Sequence, residues 1–298
     1  MAVTIVTDSA SALPQGLVDE YDIAVVPMRL TAAGVDMHDG DQPLEQLLRA
    51  DRVTTSGPTP GEFSAAINAR LEGKRETDGV LVLTIAATMS STHEAAALAA
   101  QSTGGQVRVL DTTTAAGAEG LVVVAAARAA QAGASLDEVE RVARDVIGRV
   151  RLVATVPSLD RLVRSGRVPP VAGWAGRQLG INPLFEFAAG NVRRLRPGFS
   201  HEAALDRIIR IWRRSGGGSD RLHVVALHAL APDEAQLLLK RVSGECAPET
   251  AFVSEFSPVM VVHTGAGLVG LAWWWEPDED QAAAAVSTSA HSTASTIG

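Results

Sequence analysis

The chain has 298 residues, of which 46% are apolar and 20% charged; this balance belongs to a folded globular protein and excludes a disordered one, and the length predicts about two domains with sizeable cores. A formal net charge of −8 argues against non-specific nucleic-acid binding as the main task. The single cysteine, Cys246, excludes an intrachain disulfide and a cysteine-based zinc cluster.

Val3 to Thr7 reads as a first strand, entered from Met1-Ala2 without the basic segment and apolar core of a signal peptide. It ends in Asp8-Ser9-Ala10-Ser11, which begins a ligand loop or caps the turn before Leu13-Pro14; Asp8 is the sharper ligand candidate. Ile23 to Val26 gives a second strand stopped by Pro27, and Thr31 to Asp41 is expected to be a polar loop. Thr54 to Pro60 is a hydroxyl-rich loop shaped by proline and glycine, ahead of an amphipathic helix carrying Phe63, Ile67 and Leu71. The spare hydroxyls of Thr55 and Ser56 admit an ordinary loop or a ligand site.

Gly79 to Leu83 reads as a buried strand and Ala95 to Ala100 as a helix, with a cluster of hydroxyls, Thr84 to Thr92, between them. Ser91 and Glu94 have capping-box spacing, which leaves Ser90 free. A hydroxyl there, beyond a strand's carboxyl end and beside a helix N-terminus, is placed to hold an anionic head group; a solvated Ser/Thr turn is the other reading. Strand Val107 to Leu110 ends in Asp111-Thr112-Thr113-Thr114, and a long helix from about Ala115 to Ala132 follows, closed by Gly133. Its most apolar run, Leu121 to Ala130, carries Arg128 and falls short of the roughly 20 residues that span a membrane, so a cytoplasmic protein without a membrane span is expected. Ser135 and Glu138 open another helix, to about Arg149. Strand and helix alternate, which predicts a mostly parallel sheet flanked by helices, with ligands beyond the carboxyl ends of its strands.

At Arg151 the pattern changes. Leu152 to Val156 is a strand, Ser158 to Arg164 a short helix ended by Ser165-Gly166-Arg167, and Asn182 to Phe187 with Val192 to Arg196 a β-hairpin joined by four or five residues around Ala189-Gly190-Asn191. A hairpin means antiparallel pairing, so the expected fold is a two-domain α/β protein: an N-terminal domain over residues 1–150 and a C-terminal α/β domain with a mixed sheet over 151–277. Helix His201 to Arg214, the flexible Ser215 to Ser219, strand Leu222 to Leu227, helix Pro232 to Val242 and strand Ala251 to Phe256 continue it. Residues 278–298, rich in Ala, Ser and Thr, are expected to form a disordered tail.

Gly265-Ala266-Gly267-Leu268-Val269-Gly270 spells a dinucleotide motif, but the β-like Leu271 to Trp275 follows where that motif requires a helix. There is no P-loop, nucleophile elbow or H-E-x-x-H, so no catalytic residue and no metal ligand is assigned. His263, ahead of a glycine-rich turn that lets backbone approach a ligand, is a candidate lining residue. Arg161, Arg164 and Arg167 form either a solvated stripe or, at Arg167, a guanidinium for a carboxylate, a phosphate or a partner protein. Arg193, Arg194 and Arg196 read as surface charges of the hairpin.

In order along the chain, T-D-S at Thr7 to Ser9, T-S-G-P at Thr55 to Pro58, M-S-S-T at Met89 to Thr92, S-G-R at Ser165 to Arg167 and H-T-G-A-G at His263 to Gly267 resemble the D-S, T-S-Q-P, L-S-G-T, G-G-R and H-x-G-P-G segments of the DegV family of fatty-acid-binding proteins. The resemblance implies a two-domain α/β carrier that holds a long-chain fatty acid in an apolar tunnel between its domains. It implies that Thr55 and Ser90 hold the carboxylate with His263 as neighbour; Ser56, Asp8, Ser9 and Arg167 complete the candidate ligand-binding set. It further implies no cofactor beyond the bound acid, and presentation of that acid to a separate fatty-acid kinase whose acyl phosphate enters phospholipid synthesis. Three positions depart from the pattern: Gly57 for glutamine, Ser91 for glycine and Ala266 for proline, the first and last expected to loosen their loops. Competing readings are a small-molecule transferase or kinase acting on a phosphorylated substrate, and a regulatory domain for another amphipathic ligand.

Overall fold

The computed structural model describes residues 2–41, 44, 47, 53–73, 78–104, 106–168, 181–216 and 221–277. The expected disordered tail, 278–298, and residues 217–219 of the expected flexible linker lie outside the described residues.

Four strands form a parallel sheet: β1 (Val3–Asp8), β2 (Ala24–Val26), β6 (Gly79–Thr84) and β7 (Gln106–Asp111), in the order β2-β1-β6-β7. Every residue of β6 is buried, as a strand covered on both faces requires, and this is why its sequence is a continuous apolar run without alternation. Helices cover it: α1 (Gln15–Glu20), α2 (Pro60–Leu71), α3 (Thr92–Ser102), α4 (Ala116–Gln131) and α5 (Leu136–Arg149). Thr59 and Glu62 form a complete capping box on α2, and Ser135 accepts the Glu138 N–H at the start of α5.

Residues 31–41 are not a loop. Arg29–Ala32 (β3) and Val35–His38 (β4) form a hairpin that pairs with Val53–Ser56 (β5) into a three-stranded antiparallel sheet. Ala33 and Gly34, at φ 50 and 79°, make the two-residue turn with positive φ that matches strand twist. The β-branched Thr31, Val35, Val53, Thr54 and Thr55 suit extended backbone even though the segment is polar.

The second half carries a six-stranded mixed sheet, β10-β9-β8-β13-β11-β12, built from β8 (Arg151–Thr155), β9 (Asn182–Ala188), β10 (Asn191–Gly198), β11 (Arg221–Ala229), β12 (Thr250–Glu255) and β13 (Leu268–Glu276). Only β11 and β12 pair in parallel. The β9–β10 hairpin closes through two residues, not four or five: Ala188 pairs with Asn191, and Ala189 and Gly190 have φ of 49 and 74°. The short helix α6 (Asp160–Arg164) follows β8, and one face of this sheet packs on α7 (His201–Arg213) and α8 (Pro232–Glu245) through Leu184, Ile208, Leu238 and Trp273. The other face turns toward the parallel sheet. Between them lies α4, buried without a break from Ala116 to Val124. A Cβ on Gly117 would stand 2.8 Å from Val225 of the second sheet, and one on Gly120 2.9 Å from the Ser11 carbonyl of the first half. Glycine therefore sets the spacing of the layers, and one cluster of buried side chains runs from Val3 to Trp274.

Candidate functional site

A cavity enclosing about 900 Å³ of empty space, its open mouth included, lies between the two sheets. Side-chain alternation decides its wall. Leu152 and Ala154 of β8, Phe185 and Phe187 of β9 and Leu227 of β11 face it, while Val153, Leu184 and Ala226 face the opposite core. Met28, Ile85, Met89, Phe256 and Met260 close the other sides. The only polar side chains lining it, among the described residues, are Thr55, Ser56, Ser90, Arg167, His263 and Thr264. Four of the five sequence segments thus supply one polar wall to an otherwise apolar chamber.

Thr55 is the last residue but one of β5, and His263 lies on α9 (Pro258–Thr264); Thr55 Oγ1 and His263 Nε2 are 2.6 Å apart. Burial, then the positive charge of Arg167, lowers the imidazole pKa to about 4, so the ring is neutral at ordinary pH. His263 Nδ1 is buried without a partner. A proton there would be a buried donor lacking an acceptor, whereas on Nε2 it is donated to Thr55; the second tautomer satisfies the donor. Thr55 then keeps its own O–H to donate into the cavity.

Ser90 Oγ lies 2.8 Å from Thr92 Oγ1 and accepts the Thr92 N–H at 3.3 Å. This corrects the division between adjacent serines. Ser91 is the residue before α3, but its φ and ψ of −75 and 6° differ from the extended geometry of a capping residue, and its side chain makes no capping bond. Ser90 covers the helix start itself. When Thr92 donates its hydroxyl to Ser90, the Ser90 O–H stays free to donate to a bound group.

The two loops expected to be loosened are both held closely. A Cβ on Gly57 would stand 2.6 Å from Thr92 Oγ1 and 3.2 Å from its backbone nitrogen, so the end of β5 seats directly on the start of α3. The turn after His263 is held without a proline: Gly265 donates to the Val261 carbonyl and Gly267 to that of Ala229, each at 2.7 Å. A Cβ on Gly267 would meet Pro157 at 2.8 Å.

Arg167 lines the cavity, donates to the Ser165 carbonyl at 2.7 Å and has no carboxylate partner among the described residues. Asp8 and Ser9 are elsewhere. Both Asp8 oxygens are occupied at 2.9 Å, one by the Ala10 N–H and one by the Ile85 N–H, and burial raises its pKa to about 7 against the lowering effect of these two bonds. Ser9 donates to Asp39 at 2.7 Å and accepts the Met28 N–H at 3.0 Å. Neither lines the cavity; they fix Ala10, Met28 and Ile85, which do. Asp39 also accepts the Val259 N–H at 3.1 Å, tying the N-terminus of the helix that carries His263 to the first half. Asp39 falls in the segment read as a loop, and sequence reasoning missed it; the Asp39-Gly40 turn signal was the available clue. Thr92, buried and bonded to Ser90, was missed for the same reason that Ser91 was overvalued.

Among the described residues no group of three or more His, Cys, Asp or Glu side chains is arranged to hold a metal ion, and no helix is long and apolar enough to cross a membrane. A model of the DegV family, whose members are described as uncharacterised, matches residues 2–276. A DegV domain-containing protein of Mycobacterium tuberculosis is 35% identical over 280 residues, covering 91% of this chain and 96% of its own. A second, from Streptomyces coelicolor, is 32% identical over 276 residues, covering 90% and 97%. Among solved structures, a fatty-acid-binding DegV family protein from Thermus thermophilus is similar with a TM-score of 0.84 and 29% identity, covering 92% of this chain and all of its own.

Proposed function

The chain belongs to the DegV family, and from that premise we propose that it binds a long-chain fatty acid in the cavity, between the units 1–150 and 151–277, as a carrier and not as an enzyme. The carboxylate lies against Thr55 and Ser90, with His263, Ser56 and Arg167 around it, and the acyl chain lies along the wall of Phe185, Phe187, Leu152 and Met260. The observation that carries this reading is the segregation of the lining: six polar side chains from motif segments and the rest apolar or glycine. The fatty-acid binding described for the Thermus thermophilus relative supports it.

The energetics suit an amphipathic ligand. Each methylene removed from water contributes about 0.8 kcal/mol, so ten buried methylenes give roughly 8 kcal/mol and dominate affinity. Hydroxyl donors to a carboxylate add about 1.5–3 kcal/mol each and fix orientation. A transferase for a phosphorylated substrate would need more charge in the chamber than a single arginine. Asp8 and Ser9 serve as supports of the wall, through Ala10, Met28 and Ile85. Presentation of the acid to a separate fatty-acid kinase in the cytoplasm, with no further cofactor, follows from the family resemblance and is part of the proposal.

Organic extraction of freshly purified protein followed by mass spectrometry should recover close to one equivalent of a long-chain acid. Ser90→Ala should weaken fatty-acid binding measured by calorimetry by about 1–3 kcal/mol; unchanged affinity removes Ser90 from the head-group site. Recovery of no acid, together with no uptake of added acid, overturns the carrier reading.

A further inference from the structure

The chain has five methionines, and four of them, Met28, Met37, Met89 and Met260, lie in or against one cluster of buried side chains. Three of these, Met28, Met89 and Met260, line the cavity. The two clusters that only hold layers together, behind the six-stranded sheet and between the parallel sheet and helices α2 and α3, contain no methionine among the described residues. Filling a core therefore does not account for where this chain places the residue.

The concentration is also one-sided. The opposite wall of the cavity is carried by β8, β9 and β11, each paired on both edges, and presents Leu152, Ala154, Phe185, Phe187 and Leu227. Strand ladders fix those side chains at their roots, and rings and branched chains fill space in few shapes. The methionine side is built differently. Met28 lies between β2 and β3, Met89 between β6 and α3, and Met260 on the seven-residue α9. Their backbones are nonetheless pinned. The Met28 N–H donates to Ser9 Oγ at 3.0 Å, and the Met28 carbonyl accepts the Asp39 N–H at 2.8 Å. The Met89 N–H donates to the Ala86 carbonyl at 2.8 Å, and the Met260 carbonyl accepts the Thr264 hydroxyl at 3.0 Å.

What moves is then the side chain, an unbranched thioether with three rotatable bonds that fills irregular gaps and repacks readily. Met89 precedes Ser90, and Met260 stands one turn before His263. The polar side chains keep their positions while the apolar ones beside them change shape. A stiff apolar pocket discriminates by about 10–200-fold over one misplaced methylene, whereas a methionine-rich surface adapts to ligands of different outline.

We propose that Met28, Met89 and Met260 form a deformable wall through which the protein accepts straight and bent long-chain acyl groups alike. The proposal rests on the fatty-acid reading of the cavity.

The test is displacement of a fluorescent acid from the delipidated full chain by stearic acid and by oleic acid, which are equal in length and differ by one cis bend. Wild-type affinities within about three-fold of each other are expected. The M28I/M89I/M260I variant keeps apolar bulk but stiffens the wall at χ1, and should open a gap of about ten-fold or more between the two acids, in either direction. Unfolding curves matching the wild type verify that it is folded. Should the triple variant fail to fold, Met89→Ile and Met260→Ile, both at half-buried positions, carry the test singly, each changing the wild-type ratio by about two-fold or more. A wild-type preference beyond three-fold overturns the proposal and leaves the fatty-acid reading standing, and so does a ratio that the isoleucine variants leave unchanged. Binding of neither acid refutes the fatty-acid reading and this proposal with it.

Discussion

Gly57→Ala tests whether the head-group wall is built by close packing of backbone on backbone. The new Cβ would lie 2.6 Å from Thr92 Oγ1 and 3.2 and 3.3 Å from Thr92 N and Cα. The first contact is too short to persist, so Thr92 turns or the end of β5 retreats. Turning Thr92 breaks its bond to Ser90, a loss of about 1 kcal/mol, and overpacking in a filled site costs about 1–3 kcal/mol. The expected destabilisation is therefore about 2–4 kcal/mol, seen as a lower denaturant midpoint with unchanged slope. Because Thr55 and Ser90 sit on the two segments that separate, fatty-acid affinity should fall as well, read by displacement of a fluorescent acid. Thr92→Ala removes the shortest contact, so the double variant should be more stable than the sum of the single effects, by at least about 1 kcal/mol of coupling. Wild-type stability and affinity in Gly57→Ala, or strict additivity in the cycle, would show that the two segments do not rest on each other.

Glu119 of α4 is fully buried, with one oxygen bonded to Thr7 at 3.3 Å and the other without a partner; burial, then the charge of Asp8, raises its pKa well above the ordinary value. A raised carboxyl keeps a proton that the unfolded chain releases, so its stabilisation is complete at acid pH and is lost as pH rises. Stability should fall by about 1.4 kcal/mol per pH unit for this group above the carboxylate range, and Glu119→Gln should flatten that slope in urea unfolding run across pH, leaving the part due to Asp8. Gly117→Ala should gain about 1 kcal/mol of helix propensity and lose more to the Val225 contact, for a net drop in melting temperature; a net rise would mean the layers are not held at that spacing. The Thr88 hydroxyl donates to the Gly190 carbonyl and the Gly190 N–H to the Thr113 carbonyl at 2.7 Å, which latches the β9–β10 tip onto the first half beside Met89 and Val192. Thr88→Val should therefore raise the rate of ligand exchange in stopped-flow measurements by more than it lowers equilibrium stability, about 1 kcal/mol.

What the sequence made legible follows from how local each determinant is. The parallel sheet was readable because β6 is a bare run of apolar residues between turn signals, and a strand buried on both faces needs nothing else. The three-stranded sheet was not, since Thr31, Thr54 and Thr55 are β-branched but polar and resemble loop composition. The site was readable as segments: Thr55, Ser56, Ser90, Arg167 and His263 all line one chamber. The same reading failed one level down. Whether Ser90 or Ser91 covers a helix depends on the backbone angles of Ser91, and whether Asp8 is free depends on an N–H that arrives from residue 85. Such partners are set by tertiary approach and leave no mark in the spacing of letters. Gly57 shows the reverse error, where a small residue was taken as slack although it marks the tightest contact in the wall.

The all-round burial of α4 bears on how the chain is made. Its residues leave the ribosome with the first half, but Gly117 and the apolar face around it are covered only when β11 and β13, residues 221–276, have been synthesised and folded. During elongation the N-terminal half therefore exposes a stripe rich in valine and alanine for the time it takes to add the 145 residues from Gln131 to Glu276, roughly 7–30 s at ordinary synthesis rates. A helix that begins at the chamber wall, with Ala116, and joins the layers in the finished molecule is, until then, an adhesive surface that a chaperone or the nascent chain's own slow start must protect.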